Sequence, residues 1–262
     1  MTSARAQTFS PEALRVLEER DTPFGRIAAV ERGRIRYLAY GPGRHAVYQS
    51  VTHLDRPLEL EAPYTRLMML GAVYARPYSR MVHVGVGAGN MTGYAIRTFP
   101  SATVDAIDID ADVVELGQRY FGLKPDPRLR IHIDDGRRWL AGSTQQFDVI
   151  MLDAYDDKSI PAPLMDAPFF KVVAARLAPG GAVMQNVFIP IVDTNRLLAA
   201  MRQSFQRVDV YKVDQSAVLA AYQGPQRSVG QLKARAEELD ASLQPAHRFE
   251  QLLGFRTRAL SS

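Results

Sequence analysis

Short apolar stretches alternate with amphipathic segments through most of the chain. The clearest run has valine at every second position of residues 82–86, which predicts a buried strand. Three glycines accompany the end of this strand, apolar residues follow at helical spacing over 91–99, and a second apolar stretch covers 104–109. This order predicts a strand, a glycine turn, a helix and a second strand that ends in an acid.

The same alternation continues after residue 110. It predicts helices at 112–120, 138–141, 167–177 and 194–205, and strands at 129–133, 147–152 and 182–188. An antiparallel pair at 208–213 and 217–222 follows. Strands that alternate with helices form a parallel sheet with helices on both faces. The predicted fold class is therefore α/β and Rossmann-like.

The two ends of the chain have other patterns. Strands are predicted at 25–30, 35–40 and 45–51, with turn signals between them, and helices at 11–20 and 64–74. The charged tail over 227–260 is predicted to be helical. We therefore divide the chain into a small N-terminal antiparallel β unit at 1–60, a Rossmann-like domain at 61–225 and a helical C-terminal tail at 226–262.

The composition indicates where the protein is located and which kinds of chemistry it can perform. The chain has 262 residues, 47% of them hydrophobic and 23% charged, as in ordinary globular proteins. The sequence has no apolar run of transmembrane length and no apolar signal core, so we expect a cytoplasmic protein without membrane contact. The absence of cysteine excludes disulfides and thiolate catalysis. A net charge of +4 without a basic run favours an enzyme surface over a nucleic-acid partner.

Aspartates follow several strands of the predicted sheet. Asp108 and Asp110 end the strand after the glycine turn, Asp135 follows the next strand, and Asp153 with Asp156 the one after it. Any one of these acids is compatible with a helix cap or a turn. Because ligands of such sheets lie beyond the carboxyl ends of the strands, their recurrence predicts a shared site. Asp108 is placed to accept the hydroxyls of a ribose.

The glycine turn is similar to one kind of nucleoside site. Gly85, Gly87 and Gly89 have the spacing of the S-adenosylmethionine-dependent methyltransferase class of Rossmann-like folds. A dinucleotide fingerprint would instead need glycine at Asn90. Glycine at these positions lets the backbone pass close to a ligand.

The ordered series of motifs resembles the spermidine synthases, or polyamine aminopropyltransferases, from about residue 22 to residue 222. The family's glycine-rich loop corresponds to 85–90, its ribose-binding motif to 108–110, its adenine-contacting motif to 134–136 and its catalytic loop to 153–157. Gln49 and Tyr64 fall where the family has a nucleoside-binding glutamine and an active-site tyrosine. The resemblance implies that the nucleoside is held by Gln49, Gly85, Gly87, Gly89, Asp108, Asp110, Asp135 and Gly136, and that the catalytic residues are Asp153, Asp156 and Tyr64.

The chain departs from the family pattern on the group-transfer side of the site. Ala88 stands where the family has an aspartate that holds the amino group of the donor, and Thr65 and Arg66 replace a His-Glu pair. Asp108 is shorter than the family's glutamate. We expect Ala88 to limit the use of an aminopropyl donor, and Ala88→Asp to improve it. Arg66 would bring a cation towards an amine site if it pointed inward.

The resemblance implies a transfer reaction without a metal. The co-substrate is decarboxylated S-adenosylmethionine or S-adenosylmethionine, the partner is a small-molecule amine, and a homodimer is expected. Asp153 would take a proton from the amine, and Asp156 would hold a second ammonium group. Two alternatives stay open: an S-adenosylmethionine-dependent methyltransferase, and a non-catalytic nucleoside-binding homologue.

Overall fold

The structure is a computed structural model that describes residues 13–41, 47–57, 59–156 and 159–257. The first of its two sheets is antiparallel, with four strands in the order of the sequence. These strands are β1 (Arg15–Thr22), β2 (Gly25–Arg32), β3 (Ile35–Tyr40) and β4 (Val47–His53). The predicted antiparallel unit is therefore present, although residues 45–46 of its predicted third strand lie outside the described residues.

The helix predicted at 11–20 is wrong where the structure describes it, because residues 15–20 belong to β1. This strand pairs with β2 from Arg15 opposite Glu31 to Thr22 opposite Gly25. The register shifts between Val16 and Glu18, so the two-residue alternation that would have marked a strand is broken. Residues 11–12 of the predicted helix lie outside the described ranges.

The second sheet has eight strands in the order β12-β10-β11-β9-β8-β5-β6-β7. They are β5 (Arg80–Val84), β6 (Thr103–Asp108), β7 (Leu129–Ile133), β8 (Phe147–Leu152), β9 (Leu177–Phe188), β10 (Arg207–Val213), β11 (Ser216–Tyr222) and β12 (Arg256–Thr257). The helices are α1 (Pro63–Met68), α2 (Gly71–Tyr74), α3 (Asn90–Thr98), α4 (Ala111–Tyr120), α5 (Gly136–Gly142), α6 (Ala167–Arg176), α7 (Thr194–Arg202), α8 (Val229–Leu243) and α9 (Phe249–Leu252). The α/β class and its Rossmann-like order of strands and helices are confirmed.

The strand order reverses at the centre of this sheet. From β5 the chain continues outward through β6 and β7, which are all parallel, and then returns to place β8 and β9 on the other side of β5. The two loops that leave β5 and β8 therefore diverge at the carboxyl edge. A crevice at such a reversal is where ligands bind in open α/β sheets.

The segments that flank the predicted domain differ in detail from the sequence expectation. The single helix predicted at 64–74 is divided into α1 and α2, and the chain turns at residues 69–70 so that Gly71 lies directly against Val149 of β8. The tail is helical in α8 and α9, but its last described residues form β12, which pairs with β10. The division at 1–60, 61–225 and 226–262 stays a prediction.

Each face of the large sheet has its own apolar core. Met81 of β5 and Met151 of β8 face one cluster, which also contains apolar side chains from α1, α2, α3 and α8. Their neighbours along the strands, Val82 of β5 and Ile150 of β8, face a second cluster beneath α6 and α7. This alternation explains why most positions of these strands are apolar, since both of their faces are covered.

A buried polar network joins the tail to the sheet. The carboxylate of Asp209, whose side chain is 10% exposed, accepts hydrogen bonds from Tyr74 Oη at 2.6 Å and Arg256 Nη2 at 2.6 Å. Tyr222 Oη donates to the same carboxylate at 3.4 Å, and Tyr211 Oη lies 2.7 Å from Tyr74 Oη. One carboxylate thus connects α2, β10, β11 and β12.

We predict that Asp209→Ala lowers the free energy of unfolding by about 3 kcal/mol, because it leaves a partly buried guanidinium and buried hydroxyls without their acceptor. Urea denaturation followed by circular dichroism measures this change. Glu237→Ala removes an exposed carboxylate from α8 and should stay within about 0.5 kcal/mol of the wild type. A loss below 1 kcal/mol for Asp209→Ala would show that the network does not fix the tail.

Candidate functional site

Asp153 follows the apolar strand β8 at the carboxyl edge of the large sheet. Its backbone N–H donates to the carbonyl of Val84 at the end of β5, at 2.8 Å. Its carboxylate accepts hydrogen bonds from Asn186 Nδ2 on Oδ1 at 2.7 Å and from Tyr64 Oη on Oδ2 at 3.2 Å. Both groups that bind this carboxylate are neutral, so its negative charge remains available to a cationic ligand.

The surroundings of Asp153 shift its ionisation towards neutrality. Burial raises the pKa of Asp153 to about 7, while the hydrogen bonds from Asn186 and Tyr64 act in the opposite direction. The same burial, together with the charge of Asp153, raises the pKa of Tyr64 well above its usual range, so the phenol stays a donor. A carboxylate with a pKa near the working pH is suited to accept and release a proton.

The glycine turn between β5 and α3 lies directly beside Asp153. Gly85 has φ +89°, and a Cβ added there would overlap the backbone carbonyl of Asp153. Gly89 has φ +82° and serves as the residue before the first turn of α3. Glycine is therefore required at position 85 both by its conformation and by the closeness of the next loop. This contact fixes how near the turn and the acid can be.

Asp108 lies on the other side of the same turn. Its Oδ2 accepts the backbone N–H groups of Val86 at 2.8 Å and Gly87 at 3.1 Å, and its Oδ1 accepts that of Asp110 at 3.0 Å. Burial raises the pKa of Asp108, and these three hydrogen bonds oppose the shift. An ionised carboxylate has about four acceptor positions, so Asp108 keeps capacity for a ligand hydroxyl while it orders the turn.

The other predicted nucleoside residues have structural contacts of their own. Asp110 is buried and caps α4 through the N–H of Asp112 at 3.0 Å, while its second oxygen accepts Thr22 Oγ1 at 2.7 Å. Asp135 caps α5 through the N–H of Arg138 at 2.8 Å. At Gly136 an added Cβ would overlap the side chain of Val84, so this glycine lets α5 pack onto β5. Their predicted ligand roles stay predictions.

The small sheet contributes one wall next to the glycine turn. Ser50 Oγ of β4 accepts the backbone N–H of Ala88 at 3.2 Å, and Asn90 Nδ2 donates to the carbonyl of Val51 at 3.1 Å. Gln49 is the extra residue of a bulge in β4, since Leu38 pairs with Ser50 while the next residue of β3 pairs with Tyr48. Bulges redirect side chains beside active sites, and Gln49 is half-buried at this one.

Asp156 differs from the other predicted catalytic residues because its side chain is exposed. It is exposed on the loop after β8, where its Oδ1 accepts the N–H of Ser159 at 2.7 Å and its own N–H donates to the Ser159 carbonyl at 3.0 Å. Residues 157–158 of the predicted catalytic loop lie outside the described ranges. The structure therefore brings together Tyr64, Asp153 and the glycine turn, with Asp108 beyond it.

At two positions that depart from the family pattern, the side chain contacts other parts of the protein. Ala88 is fully buried in an apolar cluster that includes Ile27, Leu38 and Leu116. A carboxylate introduced as Ala88→Asp would have to enter this cluster or displace it, which works against the expected gain. The guanidinium of Arg66 donates to the carbonyl of Leu60 at 2.6 Å, so it faces the segment before α1.

Sequence reasoning missed two residues that contact the site. Asn186 binds the Asp153 carboxylate, and Ser50 binds the glycine turn. Asn186 follows the strand-end rule used for the acids, because it lies near the carboxyl end of β9, the parallel neighbour of β8. Ser50 had no such signal, since its contact depends on how the small sheet packs.

In the ranges that the structure describes, no group of three or more histidine or acidic side chains is placed to hold a metal ion. None of the described helices is both long enough and apolar enough to cross a bilayer.

We predict that Asp153→Asn stabilises the fold more at pH 8 than at pH 5. The folded pKa of about 7 lies above the ordinary 3.8, so the folded state binds more protons between these values. The contribution of Asp153 to stability is therefore greatest at low pH and is lost as the pH rises through 7. Asparagine does not ionise and avoids that loss.

The melting temperatures of variant and wild type, measured from pH 5 to pH 8.5, test this prediction. Asp214→Asn is the matched control, because Asp214 is exposed at a positive φ that asparagine tolerates. A difference between Asp153→Asn and wild type that stays constant over this range would show that Asp153 titrates near its ordinary value.

Comparison with known proteins gives the fold and the family. A polyamine aminopropyltransferase of Vibrio vulnificus is 25% identical over 244 residues, which is 90% of this chain and 82% of that protein. A putrescine N-methyltransferase 2 of Nicotiana attenuata is 26% identical over 174 residues, or 62% of this chain and 47% of that protein. The crystal structure of a probable spermidine synthase from Corynebacterium glutamicum has the same fold, with a TM-score of 0.71, 22% identity and 91% of each chain covered.

A family model gives the family assignment. The model described as the spermine/spermidine synthase domain matches residues 61–218, from the segment before Tyr64 to the middle of β11. That range contains Asp153, Asp108 and the whole glycine turn. The chain therefore belongs to the spermine/spermidine synthase family.

Proposed function

We propose that this chain transfers an aminopropyl group from decarboxylated S-adenosylmethionine to a small-molecule amine, as the names of its polyamine aminopropyltransferase relatives suggest. The observation that carries the proposal is the Asp153 carboxylate, held by two neutral donors, half-buried and raised to a pKa of about 7. Such a group attracts an ammonium ion and is basic enough to take its proton.

The nucleoside side of the site supports the same reaction. Asp108 binds the backbone of the glycine turn and keeps a free acceptor position beside it. Gln49 and Asp135 are half-buried, and they occur in the chain in the order that the family uses. We assign the ribose to Asp108, and the rest of the nucleoside to Gln49, the three glycines, Asp110, Asp135 and Gly136. Asp156 is proposed to hold a second ammonium group.

The transfer step balances without a further reagent. An alkylamine has a pKa of about 10.4 and enters mostly protonated, so Asp153 first removes a proton. The freed lone pair forms a bond to the carbon next to the sulfonium, and the carbon–sulfur bond breaks with its electrons returning to sulfur. Methylthioadenosine leaves as a neutral thioether, and the new secondary amine carries the positive charge.

A methyltransferase is the second candidate. The observation that favours it is Ala88, whose burial in an apolar cluster leaves no acid at that position for the amino group of an aminopropyl donor. The similarity to a putrescine N-methyltransferase points the same way. The product distinguishes the two reactions, since aminopropyl transfer releases methylthioadenosine and methyl transfer releases adenosylhomocysteine. The homodimer implied by the resemblance and the cytoplasmic location expected from the sequence remain predictions.

We predict that wild type with decarboxylated S-adenosylmethionine and putrescine releases methylthioadenosine, and that Asp153→Asn lowers this turnover by about 10²–10⁴-fold through loss of the general base. Single-turnover kinetics with chromatography of the nucleoside product gives both results. Asp214→Asn should retain the wild-type rate. Release of adenosylhomocysteine from S-adenosylmethionine would support the methyltransferase, and nucleoside binding without either product would support the non-catalytic homologue.

We predict that Asp108→Ala weakens binding of methylthioadenosine by about 1.5–3 kcal/mol, the scale of hydrogen bonds to a charged group. Isothermal titration calorimetry measures this change. Because Asp108 also orders the glycine turn, Asp108→Asn is the companion variant: it keeps the size of the side chain but loses charge. Unchanged affinity in both variants would remove Asp108 from the nucleoside site.

A further inference from the structure

Asn186 binds the proposed base with only one end of its amide. It lies in β9, is 5% exposed and donates from Nδ2 to Asp153 Oδ1 at 2.7 Å. The other end, Oδ1, is buried and has no hydrogen-bond partner among the described residues. Most buried polar atoms in proteins are paired, so this unpaired acceptor next to a reactive carboxylate needs an explanation.

The position of Asn186 is fixed from its backbone. Its carbonyl accepts Gln185 Nε2 at 2.9 Å and Tyr155 Oη at 3.3 Å. Tyr155 Oη in turn accepts the N–H of Phe188 at 2.8 Å, which attaches the loop after β8 to the end of β9. These hydrogen bonds fix the backbone of Asn186, and its side chain reaches Asp153 from this fixed position.

The ionised carboxylate decides which way the amide faces. A carboxylate accepts hydrogen bonds and does not donate them, so the Asn186 group next to Asp153 Oδ1 must be the NH₂. The amide carbonyl is then presented on the other side, next to the same acid. This carbonyl is the end of the side chain that a further N–H donor would pair.

We propose that Asn186 is both a positioning residue for Asp153 and a binding residue for the acceptor amine, whose second N–H is accepted by Asn186 Oδ1. This inference rests on the proposed function. A primary amine that has given one proton to Asp153 keeps two N–H groups, and one of them can be held by Asn186 while the lone pair faces the donor carbon.

The positioning half of the proposal predicts a displaced pH profile. Asn186→Leu removes a donor that favours the ionised form of Asp153, so the acidic limb of kcat/KM should move up by about one pH unit. Asn186→Asp places a second carboxylate at the same spot, and two such groups share a proton, so the limb should move by about two units or more. Asn195→Asp adds the same charge on the exposed first turn of α7 and should leave the profile unchanged.

The binding half of the proposal predicts a weaker affinity for the amine in the variant. For Asn186→Leu we expect the KM for putrescine to rise about tenfold, which is the effect of one lost hydrogen bond of about 1.4 kcal/mol. The KM for the nucleoside donor should stay within twofold.

A second readout separates this inference from the proposed reaction. Carbon-13 NMR of the aspartate carboxyls follows the titration of Asp153 in the free protein, and the signal is identified by its loss in Asp153→Asn. If the wild type transfers no aminopropyl group, the proposed function fails, yet a raised Asp153 pKa in Asn186→Leu still supports the positioning role. Putrescine binding by calorimetry then tests the free carbonyl.

Two results would overturn the inference. If Asn186→Leu and Asn186→Asp leave both the Asp153 titration and the putrescine affinity unchanged, Asn186 is only a buried structural amide and the inference is overturned. A uniform loss of rate at every pH, with a lowered melting temperature, would mean the same. Asn186→Asp has the size of the native side chain, so it carries the test if Asn186→Leu does not fold.

Discussion

The site depends on a steric constraint between two loops. Gly85 has no side chain and a positive φ, and the backbone of Asp153 fills the space that a Cβ would need. The parallel pairing of β5 with β8 brings the two loops to this contact, and the hydrogen bond from Asp153 N–H to the Val84 carbonyl maintains it. Because the acid cannot retreat into the sheet, its carboxylate faces the space above the strand ends. The order imposed by Asp108 on the next peptides then defines the other side of that space.

Much of this architecture could be predicted because local patterns and tertiary packing agree. Strands such as β8 are apolar at most positions, since two cores cover them, and their ends are marked by acids and glycines. The prediction failed at β1, where pairing with β2 makes a strand of a segment whose bulge disrupts alternation. It failed again at the break between α1 and α2, which follows from the packing of Gly71 on β8. Both failures concern segments whose form is decided by distant partners.

The candidate site shows the same limit at the level of single residues. Motif spacing identified Asp153 and Asp108, because strand ends are visible in the sequence. It allowed a helix cap for any of the acids but did not show that Asp110 and Asp135 are the ones that cap, nor that Arg66 faces a backbone carbonyl. It also gave no sign that the Ala88 side chain lies in an apolar cluster. The direction of a side chain depends on the packing around it, and that information lies in residues remote from the motif.

The elevated pKa of Asp153 has a thermodynamic consequence for ligand capture. Near pH 7 about half of the molecules carry a proton on this carboxyl in the absence of ligand. An ammonium group that binds there favours the charged form, so each binding event expels up to about half a proton into solution. The measured heat of binding then includes the ionisation of the buffer, and the apparent affinity for the amine strengthens as the solution becomes more alkaline, until the amine itself loses its charge. Under the proposed function, substrate capture by this site would thus exchange one cation for another, a proton for an ammonium.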